Sequence, residues 1–315
     1  MPNLYLTHKC TRGCSFCFAR KVLADGGGDV NELLTVEEVE RLLEHFSGQF
    51  PELGLLGGEP FLYPYLGEVL ELLRQRKILP KIFTSATNPM PDCLAGLDTD
   101  KQPITFVVNV GTRDSYSDEK YRNLIAFFSK FKQNASLSFT LFDLEADFSF
   151  LFDIIEEFQL KTRWIRVGVA LPIYKGGNQY IRKEDYREAG RYFTRLAQEA
   201  ARRQIRLGMD CGFVACMFAP EELGVLQRCG VQMAFCCRIA LDIGPKLDAW
   251  SCFPLFQLHH ENVLESETMK VLVDKFDTHL VEYFDYKPGI FEACGMCKYY
   301  KRKVCEGGCK SFKSI

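Results

Sequence analysis

The chain has 315 residues, of which 47% are hydrophobic and 25% charged, values that are ordinary for globular proteins and allow one large domain or two. Its 39 basic and 41 acidic residues nearly cancel, and no apolar run is long enough for a signal peptide or a membrane span. These properties argue against nucleic-acid and membrane partners and predict a cytoplasmic protein, in which 14 cysteines are expected to bind metal rather than to form disulfides.

Short β-rich segments alternate with longer helical segments from the amino terminus onward. Six strands and a possible seventh are predicted at 2–8, 52–58, 80–86, 104–110, 136–142, 162–172 and 205–211. Helices are predicted between them at 36–48, 65–77, 118–131, 148–159 and 183–204. The first helix begins after Thr35 as N-cap and has Glu38 at its third position, the pattern of a capping box.

This alternation predicts an α/β fold of parallel strands with right-handed crossovers, either a partial barrel or a doubly wound sheet. A partial (β/α)6 TIM-like barrel over residues 1–210 is the preferred prediction. In such barrels the chemistry lies at the carboxyl ends of the strands. Beyond about residue 210 the alternation stops, so residues 211–228 are expected to be a connector and 229–315 a small cysteine-rich second domain.

Three cysteines, Cys10, Cys14 and Cys17, stand close together in "HKCTRGCSFCFAR" at 8–20, directly after the first predicted strand. A closed iron–sulfur cubane or a structural zinc site normally takes four protein ligands. A set of three indicates a distant fourth ligand or a coordination position left open for chemistry. The segment "GGEP" at 57–60 directly follows the second strand and is therefore expected on the same rim of the barrel.

The cysteine spacing resembles the signature of radical S-adenosylmethionine (SAM) enzymes, and Phe16 matches an aromatic that this family places beside the cluster and adenine. The resemblance implies that three thiolates hold three irons of a [4Fe–4S] cluster and that SAM chelates the fourth. Reduction then cleaves SAM to methionine and a 5′-deoxyadenosyl radical, which abstracts a hydrogen atom. Gly57, Gly58, Glu59 and Pro60 stand where the family binds the amino group of SAM, with glycines for close backbone approach and Glu59 to compensate the ammonium.

The same resemblance implies further SAM contacts at the ends of later strands. Thr84, Ser85 and Asn88 lie in "FTSATNP", where relatives often have a Thr-Asn-Gly segment. Pro89 replaces that glycine here, so the conformation of the turn does not carry over directly.

Three other residues are expected to contact SAM. Asn109 ends the fourth strand and is expected to bond the ribose hydroxyls, while Arg122 is expected to bond the carboxylate. Leu171 ends the sixth strand and resembles the family segment that lies along the adenine.

The cysteines near the carboxyl terminus resemble the SPASM extension, which carries auxiliary [4Fe–4S] clusters in peptide-modifying radical SAM enzymes and sulfatase maturases. Two short strands around a Gly-Pro turn are expected in "RIALDIGPKLDAWS" at 238–251, and "CEGGC" at 305–309 matches a glycine-containing pair of the family. The resemblance implies that a first auxiliary cluster is held by Cys229, Cys237 (or Cys236), Cys252 and Cys309. It implies that a second is held by Cys294, Cys297 and Cys305.

The fourth ligand of the second cluster is open, because the chain departs from the family pattern there. Seven residues stand between Cys297 and Cys305 where the family usually has five, and the family's last cysteine has no counterpart. Cys211, Cys216, a non-cysteine side chain, water or substrate are the candidates, and an open iron is able to bind a substrate thiolate. Alternatively only one auxiliary cluster forms, or the tail is a zinc knuckle, because CxxC with a later CxxxC also suits tetrahedral zinc.

The leading functional hypothesis is oxidative modification of a peptide or protein substrate, as a ribosomal peptide maturase that forms a crosslink or rearranges a backbone. The alternatives are formylglycine formation of the sulfatase-maturase type, oxidation of a small metabolite, and a non-enzymatic iron–sulfur electron carrier. The cluster motif begins near residue 10, so a separate protein is expected to recognise any leader peptide. A flavodoxin or ferredoxin is the expected reductant.

Candidate acid–base groups are expected on the barrel rim, where Asp143, Tyr174 and Asp210 follow the fifth, sixth and seventh strands. Cys211 and Cys216 in "DCGFVACMF" at 210–218 are expected to donate a hydrogen atom, to ligate a cluster, or to be two small cysteines of a connector.

Overall fold

The computed structural model describes residues 1–23, 29, 31–237, 240–284 and 287–313. Within these residues ten strands form one sheet, in the order β10-β9-β8-β1-β2-β3-β4-β5-β6-β7. The strands are β1 Asn3–Tyr5, β2 Glu52–Leu56, β3 Leu79–Thr84, β4 Thr105–Asn109, β5 Ala135–Leu141, β6 Trp164–Val169, β7 Arg206–Met209, β8 Leu241–Ile243, β9 Asp248–Ser251 and β10 His260–Asn262. The eight strands from β8 through β1 to β7 are parallel to one another. Strand β9 is antiparallel to both of its neighbours, β8 and β10.

Helices follow most of the parallel strands. They are α1 Val36–His45, α2 Leu66–Gln75, α3 Asp92–Ala95, α4 Asp118–Phe131, α5 Ser149–Glu157, α6 Tyr186–Arg202, α7 Pro220–Arg228, α8 Met269–Phe284 and α9 Lys298–Lys301. The predicted α/β fold with a mostly parallel sheet is confirmed. None of the helices in the described part of the chain is long and apolar enough to cross a membrane.

Local sequence explains where these elements begin and how they pack. The capping box of α1 is present, because the Thr35 hydroxyl accepts from the Glu38 N–H at 3.1 Å and the Glu38 carboxylate accepts from the Thr35 N–H at 2.9 Å. Along β5 buried and half-buried residues alternate, as the period of two requires. On the helix side of the sheet, Phe106 packs against Phe127 and Phe131 of α4 with ring centroids 5.0 and 4.5 Å apart.

The first strand is shorter than predicted, ending at Tyr5 instead of residue 8. The Leu6 N–H still donates to the Leu56 carbonyl at 2.8 Å, but the chain then turns away toward the cysteine segment. Helices α7 and α8 and strand β10 have no counterpart among the predicted elements.

The carboxyl-terminal strands extend the sheet of the barrel instead of forming a separate sheet. β8 lies parallel to β1, with Asn3 opposite Asp242, and the Asn3 amide donates to the buried Asp242 carboxylate at 2.7 Å. β8 and β9 form the predicted strand pair around Gly244 and Pro245; residues 238 and 239 of that segment lie outside the described residues. The cysteine-rich region therefore begins beside the first strand of the barrel.

Candidate functional site

The cysteine loop comprises Cys10, Cys14 and Cys17 and follows β1 at the carboxyl edge of the sheet. All three cysteines are half-buried. The Arg12 N–H donates to Cys10 Sγ at 3.4 Å, and the Cys17 N–H donates to the Cys14 carbonyl at 3.1 Å. Burial, together with the nearby Cys17 and Cys10, raises the pKa of Tyr5. Two of the three thiols therefore lie beside the same buried ring.

The glycines of "GGEP" let the loop after β2 dock on the cysteine loop. The Gly58 N–H donates to the Thr7 carbonyl at 2.7 Å. A Cβ on Gly58 would lie 2.3 Å from the Lys9 carbonyl oxygen and 2.9 Å from the Cys10 Cβ, and one on Gly57 would lie 2.9 Å from the Thr7 carbonyl oxygen. A side chain at either position would push the two loops apart.

Glu59 joins the loop after β2 to the end of β3. It is 2% exposed, and its Oε1 accepts from the Thr84 hydroxyl at 2.5 Å. Its Oε2 accepts from the Ser85 N–H at 2.9 Å and from the Ser85 hydroxyl at 2.5 Å. It also caps the short turn begun by Pro60 through the Phe61 N–H. Glu59 is thus a positioning residue for Thr84 and Ser85, and its role opposite the SAM ammonium stays a prediction.

The turn after β3 also contacts the cysteine loop. The Thr11 hydroxyl donates to the Asn88 side-chain oxygen at 2.8 Å. Asn123 of α4 holds the same turn by donating to the Thr87 carbonyl at 2.9 Å. The segment with Pro89 in place of the family's glycine therefore still reaches the cysteine loop.

Arg12 reaches the end of β4. Its guanidinium donates to the Asn109 carbonyl at 3.0 Å and lies over the Tyr116 ring, 5.5 Å from the centroid. The Asn109 amide donates to the Thr140 hydroxyl at 3.3 Å. Arg122, by contrast, is exposed on α4. Sequence reasoning missed Arg12, although it is the one basic residue between Cys10 and Cys14.

Phe16 belongs to an aromatic contact at the end of β5. Its ring stacks on Phe142 with centroids 4.3 Å apart and planes 24° apart. The Asn178 amide donates to the Leu171 carbonyl at 2.8 Å and to the Phe16 carbonyl at 3.4 Å. Asn178 thereby joins the two residues expected beside the adenine, and neither it nor Phe142 stands in a recognisable motif.

The candidate acid–base groups have separate partners. The Asp143 carboxylate accepts a hydrogen bond from the Glu145 backbone N–H at 2.9 Å. The Tyr174 and Tyr283 hydroxyls lie 3.3 Å apart, and this hydrogen bond lowers the pKa of Tyr174. Asp210 forms an ion pair with Arg166 of β6 at 2.7 Å. Among the contacts of the described residues, none brings these three candidates together.

Four cysteines form the first thiol group, one from the connector and three from the region beyond it: Cys211, Cys237, Cys252 and Cys309. A hydrogen bond between the Cys237 and Cys309 thiols raises the pKa of Cys309. Burial and the nearby Cys211 and Cys237 raise the pKa of Cys252. Cys236 also approaches Cys211, whose pKa is raised to about 12, mainly by burial.

Cys229 lies apart from the interactions just described. It caps the carboxyl end of α7 and packs against the hydrophobic core. Cys211 stands beside the three cysteines with which Cys229 was grouped by resemblance, and the assignment of Cys229 as a ligand stays a prediction.

Four further cysteines form the second thiol group: Cys216, Cys294, Cys297 and Cys305. They line one pocket, together with the rings of Tyr299 and Tyr300. Burial and the nearby Cys305, Cys294 and Cys297 raise the pKa of the Cys216 thiol to about 11. In the described part of the chain, no three His, Cys, Asp or Glu side chains are arranged to hold a single metal ion.

Residues 4–127, which carry the cysteine loop, "GGEP" and Thr84, match the model of the Radical SAM superfamily. The similarity to this superfamily thus lies in the amino-terminal part of the chain. Domains of this superfamily imply a [4Fe–4S] cluster and SAM. A curated relative, the S-adenosylmethionine-dependent nucleotide dehydratase of Flammeovirga pacifica, is 26% identical over 136 residues, which cover 38% of this chain and 46% of that protein. The chain thus matches about half the length of this relative.

Solved structures resemble both residues 4–127 and the region beyond them. Streptococcus suis SuiB bound to S-adenosylmethionine has a TM-score of 0.70 at 18% identity, covering 98% of this chain and 72% of SuiB. SuiB bound to the precursor peptide SuiA has a TM-score of 0.67 at 17% identity, covering 98% of this chain and 71% of that one. The protein anSMEcpe with bound AdoMet has a TM-score of 0.65 at 15% identity, and the match covers 98% of this chain and 89% of anSMEcpe. At these identities the likeness establishes the fold.

Proposed function

We propose that this chain is a cytoplasmic radical SAM enzyme that oxidatively modifies a peptide or protein. The observation that carries the proposal is the docking of "GGEP" on the cysteine loop at the carboxyl edge of a parallel sheet, where a Gly58 Cβ would lie 2.3 Å from the Lys9 carbonyl oxygen. Active sites of barrel folds lie at this edge.

The cysteine loop fits a cluster with three protein ligands. Its three thiols are half-buried and follow one strand. Cys10, Cys14 and Cys17 would hold the cluster, which, when reduced, supplies the electron that cleaves SAM to a 5′-deoxyadenosyl radical.

The residues around this loop would bind and orient SAM. Gly57 and Gly58 leave the backbone accessible beside Cys10, and Glu59 fixes the hydroxyls of Thr84 and Ser85. The guanidinium of Arg12 lies between the cysteine loop and Asn109, where it would balance the negative charge of thiolates or of a carboxylate. The stacked Phe16 and Phe142 would exclude water.

The two thiol groups favour the hypothesis that residues 229–315 form a domain with auxiliary [4Fe–4S] clusters of the SPASM type. The connector at 211–228 precedes this domain in sequence and would contribute one cysteine to each group. Cys237, Cys252 and Cys309 would hold the first cluster, with Cys211 or Cys229 as the fourth ligand. Such a cluster would provide a place for the electron left on substrate after hydrogen abstraction, so the overall reaction would be an oxidation. This favours a crosslink or another oxidative change in a peptide, and the fold shared with SuiB, which was solved with its precursor peptide, supports that substrate class.

A nucleotide is the second candidate substrate. The relative named as a nucleotide dehydratase matches only 38% of this chain. The fold of SuiB with its precursor peptide covers 98% of this chain, which is why the peptide is preferred. A flavodoxin or ferredoxin would deliver the electron, and a separate protein would recognise a leader peptide.

The test uses the anaerobically reconstituted chain with dithionite and SAM. It is incubated with short peptides encoded beside its gene, or with nucleotides, and the products are analysed by mass spectrometry. We expect 5′-deoxyadenosine together with a peptide that has lost two hydrogen atoms. A changed nucleotide with unchanged peptides would overturn the peptide assignment and leave the radical SAM assignment standing.

A further inference from the structure

The pocket of the second thiol group is formed by three segments that are distant in sequence. The connector supplies Cys216 from the turn Ala215–Met217, and the turn Glu292–Met296 supplies Cys294. Cys297 and Cys305 flank the helix Lys298–Lys301. All four thiols line the same pocket. The set of three from the carboxyl terminus therefore faces a fourth thiol from the connector.

The connector turn is held so that Cys216 lines the pocket beside Val214 and Ala215. Its neighbours Ala215 and Met217 are 1% and 0% exposed, whereas Cys216 is exposed. The Met217 carbonyl accepts from the Arg187 guanidinium of α6 at 3.1 Å. A Cβ on Gly190 of α6 would lie 2.1 Å from the Met217 carbonyl oxygen, so a glycine permits this close approach. The contacts of α6 with the Met217 carbonyl thus fix the position of the turn that carries Cys216.

The opposite wall of the pocket is packed against the same connector. Gly308 has a φ of +94°, and a Cβ there would lie 3.1 Å from a methyl carbon of Val214. The Ile290 N–H donates to the Gly307 carbonyl at 2.8 Å. A Cβ on Gly289 would lie 2.4 Å from Cys294 Sγ. Two glycine contacts therefore bring both the connector and Cys294 to the loop that follows Cys305.

We infer that Cys216 is the fourth protein ligand of the second auxiliary cluster. The inference rests on the proposed auxiliary clusters. With four thiolate ligands, each iron of a [4Fe–4S] cluster is bound by the protein, so no iron has an open coordination position for substrate. The second cluster is then an electron carrier, and substrate thiolates do not bind to it.

The test compares Cys216→Ala with Cys93→Ala, each in the Cys10/Cys14/Cys17→Ala background that removes the SAM cluster. Cys93 is a half-buried free thiol outside both thiol groups and serves as the matched control. After anaerobic reconstitution, iron is counted and EPR spectra of the reduced proteins are recorded with and without imidazole. Circular dichroism establishes that both variants are folded, and Cys216→Ser provides a second variant with an oxygen ligand.

We expect about eight irons in the control and either about four in Cys216→Ala or an EPR signal that imidazole shifts only in that variant. Cys216→Ser is expected to keep its iron with an altered spectrum. Iron content and spectra of Cys216→Ala identical to those of Cys93→Ala would overturn the inference. Iron near zero in the control variant would instead overturn the proposed auxiliary clusters, which distinguishes the two failures.

Discussion

The cysteine loop and the second thiol group are built in opposite ways. The loop takes Cys10, Cys14 and Cys17 from eight consecutive residues after one strand. The second thiol group takes Cys216 from the connector and three cysteines from a segment that begins 78 residues later, at Cys294 (294 − 216). A site made within one loop is recognised by its spacing, whereas a site assembled by the fold is recognised only once the strands and helices are placed.

Substitution of a loop cysteine is expected to have the largest effect. Cys14→Ala removes one of three ligands, so 5′-deoxyadenosine formation should fall below detection. Liquid chromatography with mass spectrometry measures the product, and Cys93→Ala is the control. Activity within a few fold of the control would contradict the assignment of this loop.

The contact between the two rim loops gives the next largest effect. Gly58→Ala places a Cβ 2.3 Å from the Lys9 carbonyl oxygen, and we expect at least a tenfold loss of 5′-deoxyadenosine formation and about 1–3 kcal/mol of lost stability. Gly13→Ala is the matched control, because a Cβ there meets nothing within 4 Å. Equal activity and equal urea midpoints for the two variants would show that the loops do not need this contact.

The contact between strands β1 and β8 predicts that the stability of the protein depends on pH, because it buries Asp242. Burial raises the pKa of Asp242 from 3.8 to about 7, so the folded state binds a proton that the unfolded state releases. Stability should therefore fall as pH rises from about 4 to about 7. Between pH 5 and pH 8 the loss is on the order of 2 kcal/mol and should be absent in Asp242→Asn.

Urea unfolding at both pH values measures this difference. Asp277→Asn, on the exposed face of α8, should behave like the wild type. A pH dependence that survives Asp242→Asn would show that other groups cause it.

Glu59→Gln is expected to have the smallest of these effects. The variant keeps the shape of the side chain but loses the charge that accepts from Thr84 and Ser85, so we expect about 1–2 kcal/mol of lost stability and several-fold weaker SAM binding. Glu71→Gln, in an exposed ion pair, is the control and should leave stability nearly unchanged. Titration calorimetry that finds identical SAM binding in both variants would contradict the positioning role.

Sequence patterns predicted the parallel sheet and most of its helices, because strand and helix periods and the capping box at Thr35 are local signals. They did not predict α8, although Thr268 stands before it and its hydroxyl accepts from the Val271 N–H at 3.2 Å. The pairing of β8 with β1 joins Asn3 to Asp242, a distance in sequence that periodicity cannot encode. Arg12, Phe142 and Asn178 were missed for the same reason, since each acquires its role from a partner on another strand or loop.

The most direct test of the account counts iron and 5′-deoxyadenosine in the anaerobically reconstituted wild type and in the Cys10/Cys14/Cys17→Ala variant. The account predicts about twelve irons in the wild type and about eight in the variant, with 5′-deoxyadenosine formed only by the wild type. Equal iron and equal 5′-deoxyadenosine in the two proteins would contradict it.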